Sequence, residues 1–244
     1  MEKELFITKS DLAKTAFIDS QRVLMIGAHP DDIDINAGGL TMALIKNKSE
    51  VDWLICTDGG GGSWDSNIEK QSLIEIRKKE QLKSANILGV SRVSFLDFND
   101  GFISFHQENL LTNLVKKIRE IKPRIVITHD PWKQYDLHAD HRTVGLTTSH
   151  AIILASNNTF FKDQLDKGME SHFTPIIGYF NPEKANMWVD ITALNERKEQ
   201  AILVHTSQFS DRLSFLDELR IISENLGKEI NVRQAEAFHI EINN

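Results

Sequence analysis

The sequence predicts an α/β fold: a mostly parallel sheet with helices on both faces, in a single domain. Three observations carry this. Short apolar runs of strand length recur at 23–26, 51–56 and 125–127, each closed by polar turn residues, which is how buried parallel strands read. Amphipathic helical stretches alternate with these runs, and that alternation calls for parallel strands joined by helical crossovers. The 244 residues contain no internal repeat, low-complexity tract or linker, and that length suits one α/β domain.

The elements follow in order. Residues 1–21 are mixed and polar and suggest a short lead-in helix. A strand at 22–28 ends in His29-Pro30-Asp31-Asp32; the proline restrains its own φ and the residue before it, so this turn is stiff. Gly38-Gly39 lets a helix near 37–47 start close against the strand. The run 51–57 ends in Thr57-Asp58 and four glycines, Gly59 to Gly62. A helix at about 68–88 carries Leu73, Ile76, Leu82, Ala85 and Leu88 at helical spacing, with Gly89 as its C-cap. A strand at 92–96 runs into the turn Asp97-Phe98-Asn99-Asp100-Gly101. A helix at 107–121 is stopped by Pro123, and a fourth buried strand spans 124–128. Helices at about 142–156, 193–204 and 211–226, late strands at 175–180 and 187–191, and an irregular stretch at 157–174 complete the chain.

Composition narrows the function. The chain is 41% hydrophobic and 26% charged, and its net charge of -7 argues against nucleic acid as the main partner. The one cysteine, Cys56, sits in an apolar run and reads as a small buried residue. No segment is long and apolar enough for membrane insertion. Met1 to Leu5 lacks the layout of a signal peptide, so a cytoplasmic location is expected.

Two clusters end buried strands with His and Asp: His29, Asp31 and Asp32 after the first strand, and His138, Asp140 and His141 after the fourth. In a parallel sheet both strand ends can face one crevice. His and carboxylate together suit zinc, and three protein ligands with an open position mark a catalytic site. The expected set is His29, Asp32 and His141. Asp31 remains free beside it; a carboxylate next to a metal-bound water can take its proton as general base. His138, held by Asp140, can stabilise an oxyanion or protonate a leaving amine. This inventory fits metal-assisted hydrolysis of an amide. Alone, His-Pro-Asp-Asp would be a polar turn, and His138-Ala139-Asp140-His141 a helix start with Asp140 as cap; their joint placement favours a metal site. His106, His150, His172 and His239 read as surface or satisfied core residues, while His129 stays open.

These residues bring a family into view. From residue 22 to about 238 the chain resembles the zinc-dependent N-acetylglucosaminyl deacetylases of the PIG-L or LmbE-like family. The resemblance is carried by Ala28-His29-Pro30-Asp31-Asp32-Ile33-Asp34 with Gly38-Gly39, by Arg77, Glu80, Ala85 and Leu88-Gly89, and by Asn99-Asp100-Gly101. His138-Ala139-Asp140-His141 continues it, then Lys198, Ala201, His205 and Ser207-Gln208, and the tail Ala235-Glu236-Ala237-Phe238. It implies a Rossmann-like fold, one Zn²⁺ or another divalent ion per chain on His29, Asp32 and His141, and a small N-acetylated sugar conjugate as substrate. It makes Asp31 the general base, gives His138 the oxyanion with Asp140 orienting it, and assigns Arg77 and Asp100 to sugar hydroxyls. Homo-oligomers, trimers or hexamers, occur among relatives. Two departures stand out. Ile33 takes the place of the usual Glu, an acid returning at Asp34, and Ala139 replaces the usual Pro.

Other readings remain. A different metal hydrolase acting on amides or esters, or a phosphoesterase gathering ligands for two ions, would use the same residue types. A nucleotide-binding module could cradle phosphate on Gly59 to Gly62, although no Gly-x-Gly-x-x-Gly follows the first strand and no Gly-Lys-Ser/Thr is present. That run is read instead as a mobile loop near the mouth of the site. A non-catalytic sugar-binding protein would have little use for both Asp31 and His138. The aglycone would meet the loops at 132–137 and 157–174.

Overall fold

The computed structural model of the chain describes residues 6–8, 21–63, 65, 67–209 and 211–243. Of the lead-in at 1–21, only β1 (Phe6–Thr8) and Gln21 lie among them. Strand β2 (Arg22–Gly27) is buried except for Arg22. It pairs in parallel with β3 (Glu50–Thr57) on one side and β5 (Ile125–His129) on the other. Strand β4 (Arg92–Phe98) lies outside β3, and β6 (Ile176–Phe180) outside β5, both parallel. Antiparallel β8 (Ala235–Ile242), β7 (Met187–Asp190) and β1 extend the sheet, giving the order β1-β7-β8-β6-β5-β2-β3-β4. The expected mostly parallel α/β sheet is present. The chain runs outward from β2 to β4, then returns to the other side of β2 as β5, so β2 and β5 flank the topological switch where α/β proteins bind ligands.

Successive residues of β2 point to opposite faces. Val23 and Met25 join a core with α1 (Asp32–Lys46), α2 (Lys70–Leu88) and α6 (Asn195–Ile202), through Leu40, Leu44, Ala85, Leu88 and Ala201. Leu24 and Ile26 join the other core, with Leu110, Leu114 and Ile118 of α3 (Gln107–Ile121) and Val144, Ala151 and Ile152 of α4 (Ala139–Ala155). Deleting any of these buried branched side chains costs about 2–5 kcal/mol. A short α5 (Lys162–Leu165) and α7 (Arg212–Lys228) complete the helices. Among the described residues, no helix is long and apolar enough to cross a membrane.

Three differences from the sequence reading have physical causes. Helix α1 begins at Asp32, not near 37, and Ala37 interrupts it (φ -144°, ψ 18°). Its second half restarts under Glu236, which accepts from the N–H groups of Gly39 and Leu40, both at 2.8 Å, and pairs with Lys198 Nζ at 2.7 Å. A Cβ on Gly39 would lie 2.2 Å from Ile191 Cγ2, so this approach needs glycine. The stretch at 157–174 is organised by Arg119 of α3. Its buried guanidinium donates to the carbonyls of Leu154, Ala155, Asn157, Phe160 and Phe161 and to Gln164 Oε1, at 3.0–3.4 Å. It thereby closes the C-terminus of α4, whose last carbonyls have no helical partner. Strand β8 was not expected: its Glu236 faces inward to cap α1, which breaks the polar-out alternation that would mark a strand.

Candidate active site

Four parallel strands end at one place. From β2 comes the loop 28–31, from β3 the glycine run, from β4 the turn 99–101, and from β5 His129 and the segment leading into α4. They surround a cavity of about 280 Å³ lined by His29, Asp31, Asp32, Arg77, Asp100, His138 and His141, with Gly61, Gly62 and Gln208. All eight residues singled out from the sequence are therefore brought together except Asp140, which lies directly behind the cavity against His29.

The turn after β2 is tightly held. His29 N–H donates to Asp32 Oδ2 at 2.6 Å. Arg77 donates through Nη2 to Pro30 O at 2.6 Å and to Asp31 Oδ2 at 3.1 Å, and through Nη1 to Gly59 O at 2.7 Å. Asp31 adopts φ 106°, ψ -27°. Such a left-handed backbone costs a non-glycine residue about 1–3 kcal/mol, and it persists only where surroundings impose it.

Several ring nitrogens and carboxylate oxygens converge. Three overlapping groups have their atoms within 4.8 Å of one another: His29, His138 and His141; Asp32, His129 and His141; and His29, Asp100 and Asp140. Asp32 also approaches His29 Nδ1 at 3.4 Å and His141 Nε2 at 3.3 Å. The rings of His138 and His129 each stack on that of His141, at 4.1 and 4.2 Å between centroids. Four aspartates, Asp31, Asp32, Asp100 and Asp140, gather around the site with one guanidinium, Arg77, which reaches Asp31 and Asp100. That excess of negative charge among buried imidazoles suits a divalent cation.

The same charges shift protonation. Burial opposes a charge on His29 and His141, but their carboxylate neighbours outweigh it and raise both above the ordinary histidine value. Burial also opposes ionisation of Asp32, yet His129 and His141 hold it well below the carboxylate range. Asp31 is pushed up to about 6 by burial and by Asp32, against Arg77. Asp100, despite its burial, is drawn down to about 2 by His29, Gly61 N–H and Arg77. His129 is lowered to about 4 by burial.

Asp140 requires a correction. It was expected to orient His138, but its Oδ2 accepts from Gly101 N–H at 2.7 Å and lies 3.2 Å from His29 Nε2. Residues two apart at a helix start do not face each other. His138, at the exposed mouth, is instead lowered by partial burial and by the rings of His141 and His29. Arg77 and Asp100 do line the cavity, though most of the Arg77 donors are already engaged by the protein. The glycine run is held in place: Gly60 N–H donates to Asp58 Oδ1 at 2.9 Å and Gly61 N–H to Asp100 Oδ2 at 3.0 Å. Carboxylates occupy the Gly60 and Gly61 donors and the Gly59 carbonyl takes that of Gly62, which argues against the nucleotide-cradle reading.

A family model described as PIG-L, GlcNAc-PI de-N-acetylase, matches residues 24–152. A diacetylchitobiose deacetylase of Thermococcus kodakarensis is 35% identical over 91% of this chain and 84% of its own length. The chain belongs to the PIG-L family. It is a deacetylase, a hydrolase of amide bonds, as its motifs implied. A probable N-acetyl-alpha-D-glucosaminyl L-malate deacetylase of Bacillus anthracis is 25% identical over 81% of this chain and 86% of its own. The structure of N,N'-diacetylchitobiose deacetylase from Pyrococcus horikoshii superposes with a TM-score of 0.90 at 34% identity, covering 93% of this chain and 86% of that one.

Sequence reasoning missed part of this PIG-L site. His129 was left open, yet its Nε2 lies 3.1 Å from both Ala28 N–H and Asp32 Oδ2. Gln81 and Gln208 were not weighed individually. Gln81 accepts from Asp31 N–H at 2.7 Å, and Gln208 lines the cavity beside Gly62. His129 had one available signal, its place at the end of a buried strand bordering the first.

Proposed function

We propose that this chain removes the acetyl group from an N-acetylglucosamine-type sugar conjugate, with His29, Asp32 and His141 holding one divalent ion, zinc by the character of the donors. Bound there, such an ion supplies a Lewis acid that polarises the acetamide carbonyl and acidifies water. The observation that carries the reading is the convergence of Asp31, the His–Asp cluster and His138 on one cavity at the switch point. Asp31 takes the proton of the attacking water; a carboxyl near pH 6 is ionised at neutral pH and still basic enough to do so. Addition of the water oxygen to the carbonyl carbon forms the C–O bond and moves the C=O electron pair onto oxygen. The adduct then collapses with cleavage of the C–N bond, the proton taken by Asp31 passing to the sugar nitrogen, so that acetate and the amine are released. His138, at the mouth, donates to the carbonyl oxygen as negative charge develops. Asp140 orients His29, the carboxylate–histidine arrangement that sets the ring's tautomer. Arg77 steadies Asp31, and Asp100 offers its free acceptor capacity to sugar hydroxyls.

The substrate class follows from the relatives, whose names share an N-acetylated glucosamine unit joined to different groups. The test is an amine-release screen over N,N'-diacetylchitobiose and N-acetylglucosamine joined to malate or inositol, with bound metal quantified in the same preparation. Release from at least one conjugate, abolished by chelation and restored by Zn²⁺, is expected. Undiminished hydrolysis in a verified metal-free sample would refute the reading.

A further inference from the structure

Asp31 holds a backbone that an aspartate does not choose freely, and of the two residues that grip it, Arg77 lines the cavity while Gln81 lies outside it. The peptide between Pro30 and Asp31 is gripped on both edges. Arg77 Nη2 donates to its carbonyl at 2.6 Å, and its N–H donates to Gln81 Oε1 at 2.7 Å. Gln81 is fully buried on α2. Its Nε2 lies 3.0 and 3.2 Å from the two oxygens of Asp34, itself fully buried. Both Asp34 oxygens face the amide's NH₂ end, which leaves the amide oxygen turned toward Asp31. Asp34 is held in turn by the Ser84 hydroxyl and by His205 Nε2 at 3.2 Å. None of Gln81, Asp34, Ser84 and His205 lines the cavity.

We propose that Gln81, its amide oriented by Asp34 and His205, is a positioning residue that locks Asp31 in its left-handed conformation and so aims the base into the cavity. The inference rests on the reading of Asp31 as the base. Without the acceptor on Gln81, the peptide can rotate about its Arg77-held edge. Asp31 then relaxes toward ordinary φ and its carboxylate swings from the reacting atoms. A displacement near 1 Å in such a group costs on the order of 10²-fold in rate.

The test combines kinetics with a readout independent of activity. In Gln81→Met, which keeps volume and removes the acceptor, kcat should fall roughly 10²-fold while KM and metal content change less than about threefold. Because Gln81 acts through Asp31, adding Asp31→Asn to it should slow the enzyme no further than Asp31→Asn alone. Asp34→Asn frees the Gln81 amide to flip and should also lower kcat. Combining Asp34→Asn with Gln81→Glu restores an acceptor facing Asp31 and a donor facing position 81, and should recover about tenfold or more. A crystal structure of Gln81→Met should show Asp31 outside the left-handed region, with faster exchange of its amide proton. A retained positive φ with a protected amide, or multiplicative rate losses, would overturn the inference. An inactive wild type would overturn the proposed function instead, and the crystal and exchange readouts would still decide the backbone lock. Should Gln81→Met fail to fold, the Asp34→Asn and Gln81→Glu pair carries the same decision.

Discussion

The Lys198–Glu236 pair gives a sharp test of how the site's supporting helix is held. Their side chains are only 8% and 4% exposed, and the N–O distance is 2.7 Å. Glu236 also accepts the N–H groups of Gly39 and Leu40 where α1 restarts beyond Ala37. Glu236→Gln keeps the shape and removes the charge, leaving the Lys198 ammonium buried without a counterion. Breaking a buried pair from one side costs about 3–5 kcal/mol. For a chain of this size each kcal/mol lowers Tm by about 2–4 °C, so a fall of roughly 6–20 °C is expected. Lys198→Met should cost less, about 1–2 kcal/mol, because Glu236 retains two backbone donors. Its stem also keeps its packing on Gly38, where Lys198 Cγ lies 3.2 Å from an added Cβ. In the double variant no charge is stranded, so the cost should fall below the sum of the singles by about 1–3 kcal/mol. Denaturant unfolding of the four proteins gives all these quantities. A Glu236→Gln cost below about 1 kcal/mol, or additive costs, would refute the account of the pair as a buried, mutually dependent cap.

Three further outcomes are expected. Asp32→Asn should weaken metal affinity by replacing an anionic ligand, whereas Asp31→Asn should keep the metal and lose roughly 10²-fold or more in kcat; equal metal loss in both would refute the assignment. Arg119→Met should cost about 3 kcal/mol or more in denaturant unfolding, since several buried carbonyls at the end of α4 lose their donor, while metal affinity stays unchanged. His205 is raised above 6.5, its burial outweighed by Asp34, so it adds stability that is fully present below pH 6.5 and fades as pH rises through its own higher value; His205→Gln should flatten that alkaline decline in thermal scans, and an unaltered decline would contradict it.

The parts of the site legible in the sequence are those that local pattern encodes. His29, Asp31 and Asp32 follow a buried strand within six residues of its last apolar position, Ile26, and His138 and His141 lie one turn apart at the start of a helix. Strand period and turn chemistry place such residues without knowledge of the fold. What could not be read is what depends on pairing. His129 meets Asp32 because Met25 is in register with Ile127, which carries the end of β5 level with the end of β2. No local pattern states that register. The same holds for Arg119, whose six acceptors lie 35 to 45 residues away.

The departure at Ile33 and Asp34 shows how far a one-residue shift reaches. On a helix of 3.6 residues per turn, neighbouring positions differ by about 100° in direction. Ile33 is fully buried in the apolar core that α1 shares with the sheet, where an acid would be stranded. Asp34 turns away from that core, toward α2 and the residues after α6. There it meets two donors, Gln81 and Ser84, and the His205 ring at 3.2 Å. An acid moved one place along the chain is thus placed against the one amide that contacts the Asp31 backbone from α2. Its burial is tolerated because each oxygen is hydrogen-bonded, and the consequence is felt at Asp31, three residues earlier, where the peptide carrying the proposed base is held on both edges.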